Sequence, residues 1–301
     1  MARVIQINDP ADERVADFRD LTHADRRPDR PGGRGLVIAE GVVVVRRLLD
    51  SPYPVRALLG VARRFDELAD DIAEVDVPAY VASAEVMAEI VGFHLNRGVL
   101  AVADRAEQPP AEQLVATSRR LAVLEGVGDH ENLGALFRNA AALGIDGVLL
   151  GAGCSDPLYR RSVRVSMGHV LRVPFTTLTP WPDGLNLLRD NGFRVAALTP
   201  RPGSVALPAA RLDQGRVAVL LGAEGPGLTE AAISAADLAV RIPMTSGVDS
   251  LNVATAAAIA FYATAAHTTA GPTVAGPTTA RATPAGQAPA GPTRADPPAG
   301  G

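Results

Sequence analysis

Short, nearly continuous apolar runs alternate along the chain with stretches whose apolar positions recur every three or four residues, the signatures of strand and helix. In the first third, Gly35–Ala39, Val55–Val61, Ala79–Ala82 and Gly98–Ala103 read as strands, with helices from Glu40 to Leu49, Arg63 to Ala73 and Ala84 to Val91. Phe65, Leu68, Ala69 and Ile72 show the helical spacing. This alternation predicts a compact α/β unit. Ahead of it, residues 1–23 mix apolar and acidic positions, and Pro28, Pro31, Gly32 and Gly33 make Ala24–Arg34 a turn-rich connector.

A polar stretch, Ala106–Thr117, contains Pro109 and Pro110 and reads as a linker. Beyond it come predicted strands at Leu121–Leu124, Val148–Leu150, Val170–Phe175, Phe193–Leu198, Val217–Leu221 and Val240–Ile242. Helices are predicted from near Asn132 to Gly144, over Asp156–Met167, Pro182–Asn191 and Thr229–Leu238, and from Ser250 to about Ala266. Apolar strands interleaved with helices imply a mainly parallel sheet covered on both faces. From His267 the quasi-repeats TAGPT, VAGPT and PAGPT offer too little apolar surface to offset chain entropy, so a disordered tail is expected. The organisation read from the sequence is therefore an N-terminal domain over 1–105, a linker over 106–118, a second domain over 119–266 and a tail over 267–301.

At 301 residues, two domains plus a tail are expected, and 47% hydrophobic content provides ample core. The Ala-rich segment after Leu251 carries Asn252, Thr255 and Thr264 and reads as a buried helix rather than a membrane span. The N-terminus lacks the pattern of an export signal. A lone cysteine, Cys154, forms neither an intrachain disulfide nor a metal cluster, so no metal is expected. A soluble, cytoplasmic protein without membrane attachment is the simplest expectation. Net charge is −4, which argues mildly against a nucleic-acid partner. The average hides Arg160, Arg161, Arg164 and Arg172, a local excess with no carboxylate between Pro157 and Arg172. All 29 cationic side chains are arginine, a bias read as base composition before function.

Three stretches place small or polar residues directly after a strand, where open α/β sheets build ligand sites. The first runs from Leu124 through Asn132 and Gly134 to Arg138, the second is Leu221-Gly-Ala-Glu-Gly-Pro-Gly-Leu228, and the third runs from Ile242 to Val253. Arg138 has Gly134, Ala135, Ala141 and Ala142 one turn away, which leaves room for something to lie against it. Three glycines in the second stretch let a ligand approach backbone closely. Their order is neither the dinucleotide fingerprint nor a P-loop, which weakens an oxidoreductase reading. Ser250 could cap the last helix and Asn132 the first.

In order and spacing, the three stretches resemble the motifs of the SpoU (TrmH-like) branch of the SPOUT RNA methyltransferases. Asn132, Gly134 and Arg138 match the first motif; Gly222, Glu224, Gly225 and Gly227 match the second; Ile242–Met244 and Ser250–Val253 match the third. The resemblance covers about 119–266. It implies an α/β fold whose C-terminal region is a deep trefoil knot cradling S-adenosylmethionine, and two subunits packed across that knot as a homodimer. The donor would be held by Leu198, Thr199, Gly222, Glu224, Gly225, Gly227, Ile242, Met244, Leu251 and Asn252. Residues 35–105 resemble a ribosomal-protein-like substrate-binding domain, through Glu40-Gly41 and through His94 and Arg97, which would contact RNA. The family commonly has Gln after that histidine, where this chain has Leu95 and Asn96.

The implied reaction is methyl transfer from S-adenosylmethionine to a ribose 2′-hydroxyl, which chiefly needs in-line placement. A guanidinium is a poor base at neutral pH. Arg138 is therefore expected to bind the adjoining phosphate and stabilise developing alkoxide charge. Asn132, Ser250 and Asn252 would order the ribose, and Glu224 would support the loop. Arg160, Arg161, Arg164 and Arg172 are the expected RNA track. Ribosomal RNA is preferred to transfer RNA as the substrate, because the extra domain lies N-terminally and no basic helical extension follows. A non-catalytic RNA-binding protein of the same fold is the rival.

Overall fold

Buried apolar strands organise the chain into two sheets. The computed structural model describes residues 2–19, 21, 35–245, 248 and 250–265. The connector over 24–34 and the tail from 267 lie outside the described residues.

The first sheet contains β1 (Arg3–Gln6), β2 (Leu36–Glu40), β3 (Val55–Gly60), β4 (Pro78–Val81) and β5 (Val99–Asp104), in the order β1-β4-β3-β5-β2. β1, β4 and β3 run parallel, whereas β5 is antiparallel to both β3 and β2. β5 is buried from Val99 to Ala103 because both of its faces are covered. One face packs on Met87 and Ile90 of α4 (Ala84–Val91); the other packs on Val44, Val45 and Leu48 of α1 (Val42–Leu49). The helix predicted over Arg63–Ala73 is two pieces, Ala62–Glu67 (α2) and Ala69–Ile72 (α3), separated at Leu68.

The stretch read as a linker contains α5 (Ala111–Thr117), whose Leu114 and Val115 are buried beneath the second sheet. Pro109, Pro110 and the polar Glu112 and Gln113 hid this helix, whose only large apolar residues are the adjacent Leu114 and Val115. Then follow β6 (Arg120–Glu125), α6 (His130–Leu143), β7 (Gly147–Leu150), α7 (Arg160–Val165), β8 (Phe175–Thr177), α8 (Leu185–Asp190) and β9 (Phe193–Leu198). The chain closes with β10 (Val205–Ala206), β11 (Arg216–Gly222), α9 (Glu230–Ser234), β12 (Leu238–Arg241) and α10 (Val253–Thr264). The strand order is β10-β12-β9-β11-β6-β7-β8, and every pairing is parallel.

Two predicted boundaries fail for identifiable reasons. Val170 and Leu171 belong to a 3-10 helix, His169–Leu171, rather than to a strand, because Met167 and Gly168 take positive φ (55° and 82°) and turn the chain first. The same turn ends α7 at Val165, short of the predicted Met167.

The order of strands creates the site. From β8 at one edge the chain crosses to β9, returns with β11 into the gap between β9 and β6, then passes outside β9 with β12. The carboxyl ends of β9, β11 and β12 are thereby neighbours, the position where open sheets bind ligands. α10 returns to lie on α6, where Asn139 Nδ2 donates to the carbonyl of Ala254 at 2.8 Å. Among the described residues no helix is long and apolar enough to cross a membrane.

Candidate functional site

A cavity of about 590 Å³ opens at those three strand ends. All ten residues expected to hold the donor line it: Leu198, Thr199, Gly222, Glu224, Gly225, Gly227, Ile242, Met244, Leu251 and Asn252. Ser250 lines it as well, and so does Arg201, which the sequence reading missed. Arg201 is ion-paired with Glu230, and that pair holds the Glu230 carboxyl below its ordinary range.

The glycine-rich loop has two kinds of glycine. A β-carbon on Gly222 would lie 2.3 Å from the carbonyl carbon of Gly227 and 2.4 Å from the nitrogen of Leu228, so the loop itself occupies that space rather than a ligand. Gly225 and Gly227 need glycine for another reason: their φ values are 85° and 70°, while open space surrounds their α-carbons. The loop is closed by Gly227 N–H donating to the carbonyl of Ala223 at 3.1 Å. Its backbone edge is consequently fixed and faces the cavity.

Side chains from all three motifs meet at the cavity rim. Asn132 Nδ2 donates to Glu224 Oε2 at 3.0 Å; Asn252 Nδ2 donates to Glu224 Oε1 at 2.6 Å and to Asn132 Oδ1 at 2.8 Å. Glu224 is exposed, so the carboxylate bridges two elements without the cost of burying a charge. Asn252 also caps α10, its Oδ1 accepting from the backbone of Ala254 and Thr255 at 3.0 and 3.2 Å. Ser250, the expected cap, is two residues too early. Asn132 is likewise no cap: Asp129 starts α6, accepting from Glu131 N and Asn132 N at 2.9 and 2.8 Å. The asparagine side chain is thus released to reach Glu224.

Gly134 does not open space beside Arg138. A β-carbon there would lie 2.8 Å from the carbonyl oxygen of Ser162 and 2.9 Å from Val165 Cβ, so this glycine lets α6 and α7 approach. Arg138 is exposed, and among the described residues no carboxylate pairs with it.

The arginines expected to track RNA have unlike surroundings. Glu40, at the end of β2, is only 5% exposed and is faced by Arg160 at 3.1 Å, Arg164 at 3.7 Å and Arg97 at 3.9 Å. Arg160 also stacks on Phe93, 4.8 Å from the ring centre, and so ties α7 to the first sheet. Arg161 pairs with Glu131, its Nε donating at 3.0 Å. Arg172 is exposed and carries no such partner. His94 is exposed, while Leu95 beside it is buried in the first sheet's core.

Sequence reasoning also passed over Glu125, which closes β6 and is 5% exposed. Its Oε1 accepts from Trp181 Nε1 at 2.6 Å and from Thr229 Oγ1 at 2.8 Å, and its Oε2 accepts from Thr229 N at 2.8 Å. Thr229 caps α9 directly after the glycine-rich loop, so Glu125 anchors the exit of that loop. A carboxylate directly after the apolar run Leu121–Leu124 was the available signal.

The profile of the SpoU rRNA methylase family matches residues 119–262. An uncharacterized tRNA/rRNA methyltransferase of Mycobacterium tuberculosis is 58% identical over 261 residues, 86% of this chain and 91% of the relative. The 23S rRNA (guanosine-2′-O-)-methyltransferase RlmB of Acinetobacter baylyi is 31% identical, over 74% of this chain and 94% of its own. Among solved structures, an AdoMet-bound rRNA methyltransferase from Sinorhizobium meliloti superposes with a TM-score of 0.73 at 25% identity, covering 87% of this chain and 97% of that one. With the three motifs converging on one cavity, these similarities identify the chain as a member of the SpoU family of RNA methyltransferases, which use S-adenosylmethionine.

Proposed function

We propose that the protein methylates a ribose 2′-hydroxyl of ribosomal RNA, with S-adenosylmethionine held in the cavity at the ends of β9, β11 and β12. The observation that carries this reading is the Asn132–Glu224–Asn252 linkage, which joins three motifs otherwise far apart in the chain at the rim of one cavity. The cavity's lining suits the donor: apolar Leu198, Ile242, Met244 and Leu251 offer faces for a flat base, and the fixed backbone of 222–227 offers amide and carbonyl groups. When bound, S-adenosylmethionine supplies a methyl group activated by a positively charged sulfur.

The chain's residues supply placement. The Asn132 and Asn252 amides hold Glu224 rigid, so the glycine-rich loop does not reorganise during the reaction. Ser250 presents a hydroxyl at the same rim for the sugar. Arg138 remains cationic, binds the adjoining phosphate and stabilises charge that grows on the ribose oxygen as its proton leaves to water. The preference for ribosomal over transfer RNA rests on the 23S rRNA activity named for the Acinetobacter relative and on the additional N-terminal sheet.

The path β9, β11, β12 and then α10 is compatible with a trefoil knot, in which the segments after Leu221 and Arg241 thread to form the cavity wall. We propose further that the active form is a homodimer. Arg138 lies six positions after Asn132 along α6, which puts them about 9 Å apart along the axis and about 120° apart around it. A second copy would supply its Arg138 to the first copy's cavity. Exposed Ile259 and Tyr262 on α10 offer apolar surface for that contact. Mixing Arg138→Ala with Asn252→Asp protein tests this: random pairing should restore about a quarter of wild-type transfer. Absence of any restoration would limit the reaction to one subunit. Equal methylation of ribosomal and transfer RNA would remove the substrate preference.

A further inference from the structure

Arg138 has company from the other sheet. Arg47 on α1 donates through Nη1 to the carbonyl of Met167, and its side chain lies over Gly168, where a β-carbon would sit 3.3 Å from Arg47 Cβ and 3.4 Å from its Cδ. The same turn leads into His169 and then Arg172, which ends the 3-10 helix. Burial first, then the charges of Arg47, Arg172 and Arg138, lower the pKa of the half-buried His169 imidazole. Burial, Arg172 and Arg138 likewise depress Arg47. Among the described residues no carboxylate pairs with these three arginines, in contrast to Arg160, Arg161 and Arg164. Like charges held together without a counter-ion are unfavourable, and an anion between them would relieve the repulsion.

We propose that Arg47, His169 and Arg172 complete, with Arg138, a seat for one backbone phosphate of the RNA substrate, built across the two sheets. The inference rests on the RNA methyltransferase reading and adds Arg47 and His169 to it. A phosphodiester suits the site, because two or three guanidinium forks can share its unesterified oxygens while the His169 imidazole supplies a further N–H donor. Arg172 also walls a cavity of about 350 Å³ that it shares with Tyr53 and Gln108. Asp50 and Glu107 line that cavity too, and Arg47, Arg138 and His169 do not, so the cavity is not itself the seat.

The test is binding of a short fluorescein-labelled single-stranded RNA, followed by anisotropy across a range of salt, with wild type, Arg47→Gln and Arg172→Gln. Each variant should bind about tenfold more weakly. Each should also lower the slope of log affinity against log salt by about 0.7. Affinity for S-adenosylmethionine, measured calorimetrically, should stay at the wild-type value. Arg172→Gln removes a side chain without a hydrogen bond or ion pair to another described residue, so it keeps the test informative if Arg47→Gln loosens α1. Wild-type affinity and slope in both variants would overturn the phosphate seat and leave the methyltransferase reading intact. Failure of the wild-type protein to bind RNA at all would overturn both.

Discussion

Asn252 donates its side-chain amide to Asn132 Oδ1 at 2.8 Å, joining the start of α10 to the first turn of α6 across 120 positions of sequence. The same amide reaches Glu224, so one nitrogen fixes the relative positions of a helix, a loop and a second helix. Because its Oδ1 caps α10, Asn252 couples the stability of that helix to the geometry of the cavity rim.

Asn252→Asp separates these two roles. Aspartate caps as well as asparagine, so stability should change by about 0.5 kcal/mol or less. It has no donor for Glu224, and it places a second carboxylate beside it. Donor affinity should fall about tenfold or more, measured by calorimetry with S-adenosylmethionine. Wild-type affinity would show that the linkage is incidental.

Glu40 should matter to folding rather than to chemistry. It is buried, and Arg160, whose side chain is 14% exposed, has it at 3.1 Å. Glu40→Gln removes the buried negative charge that Arg97, Arg160 and Arg164 all face, a loss of about 3 kcal/mol. The melting temperature should drop by about 9 °C, read by calorimetry; an unchanged value would mean that the cluster is solvated.

Two alanine substitutions in the glycine-rich loop should differ in kind. Gly222→Ala drives a β-carbon into the backbone of Gly227 and Leu228, displaces the loop and should abolish donor binding, with a stability loss of about 3 kcal/mol. Gly225→Ala meets open space and bears only the left-handed backbone, a cost of about 1–2 kcal/mol. Denaturant titration of both variants distinguishes them; equal losses would contradict the packing argument.

The sequence was most informative where local chemistry and tertiary position coincide. Phe193–Leu198 is read with its observed limits because its register is buried on both sides, whereas the ten cavity residues were legible only through the resemblance of their motifs to the family's, since Leu251 and Asn252 lie ten and eleven positions past the end of β12. Helix starts were misread where several capping residues compete. Asp129 lies three residues before Asn132, and Asn252 two after Ser250, and only the fold decides which side chain turns back on the helix. Gly134 and Gly222 looked like openings for a ligand, yet the first space is filled by Ser162 and Val165 of α7, far along the chain, and the second by the far end of its own loop at Gly227 and Leu228. The charges around Glu40 were invisible for the same reason, since Arg160 lies 120 positions away from it.

Nucleoside analysis tests the central claim most directly. Purified protein is incubated with ribosomal RNA from cells lacking the gene and with S-adenosylmethionine carrying a labelled methyl group, and the RNA is digested completely. The label should appear in a 2′-O-methylated nucleoside, and Arg138→Ala protein should leave none. Label on a base, or no transfer by wild-type protein that has bound the donor, would contradict the account.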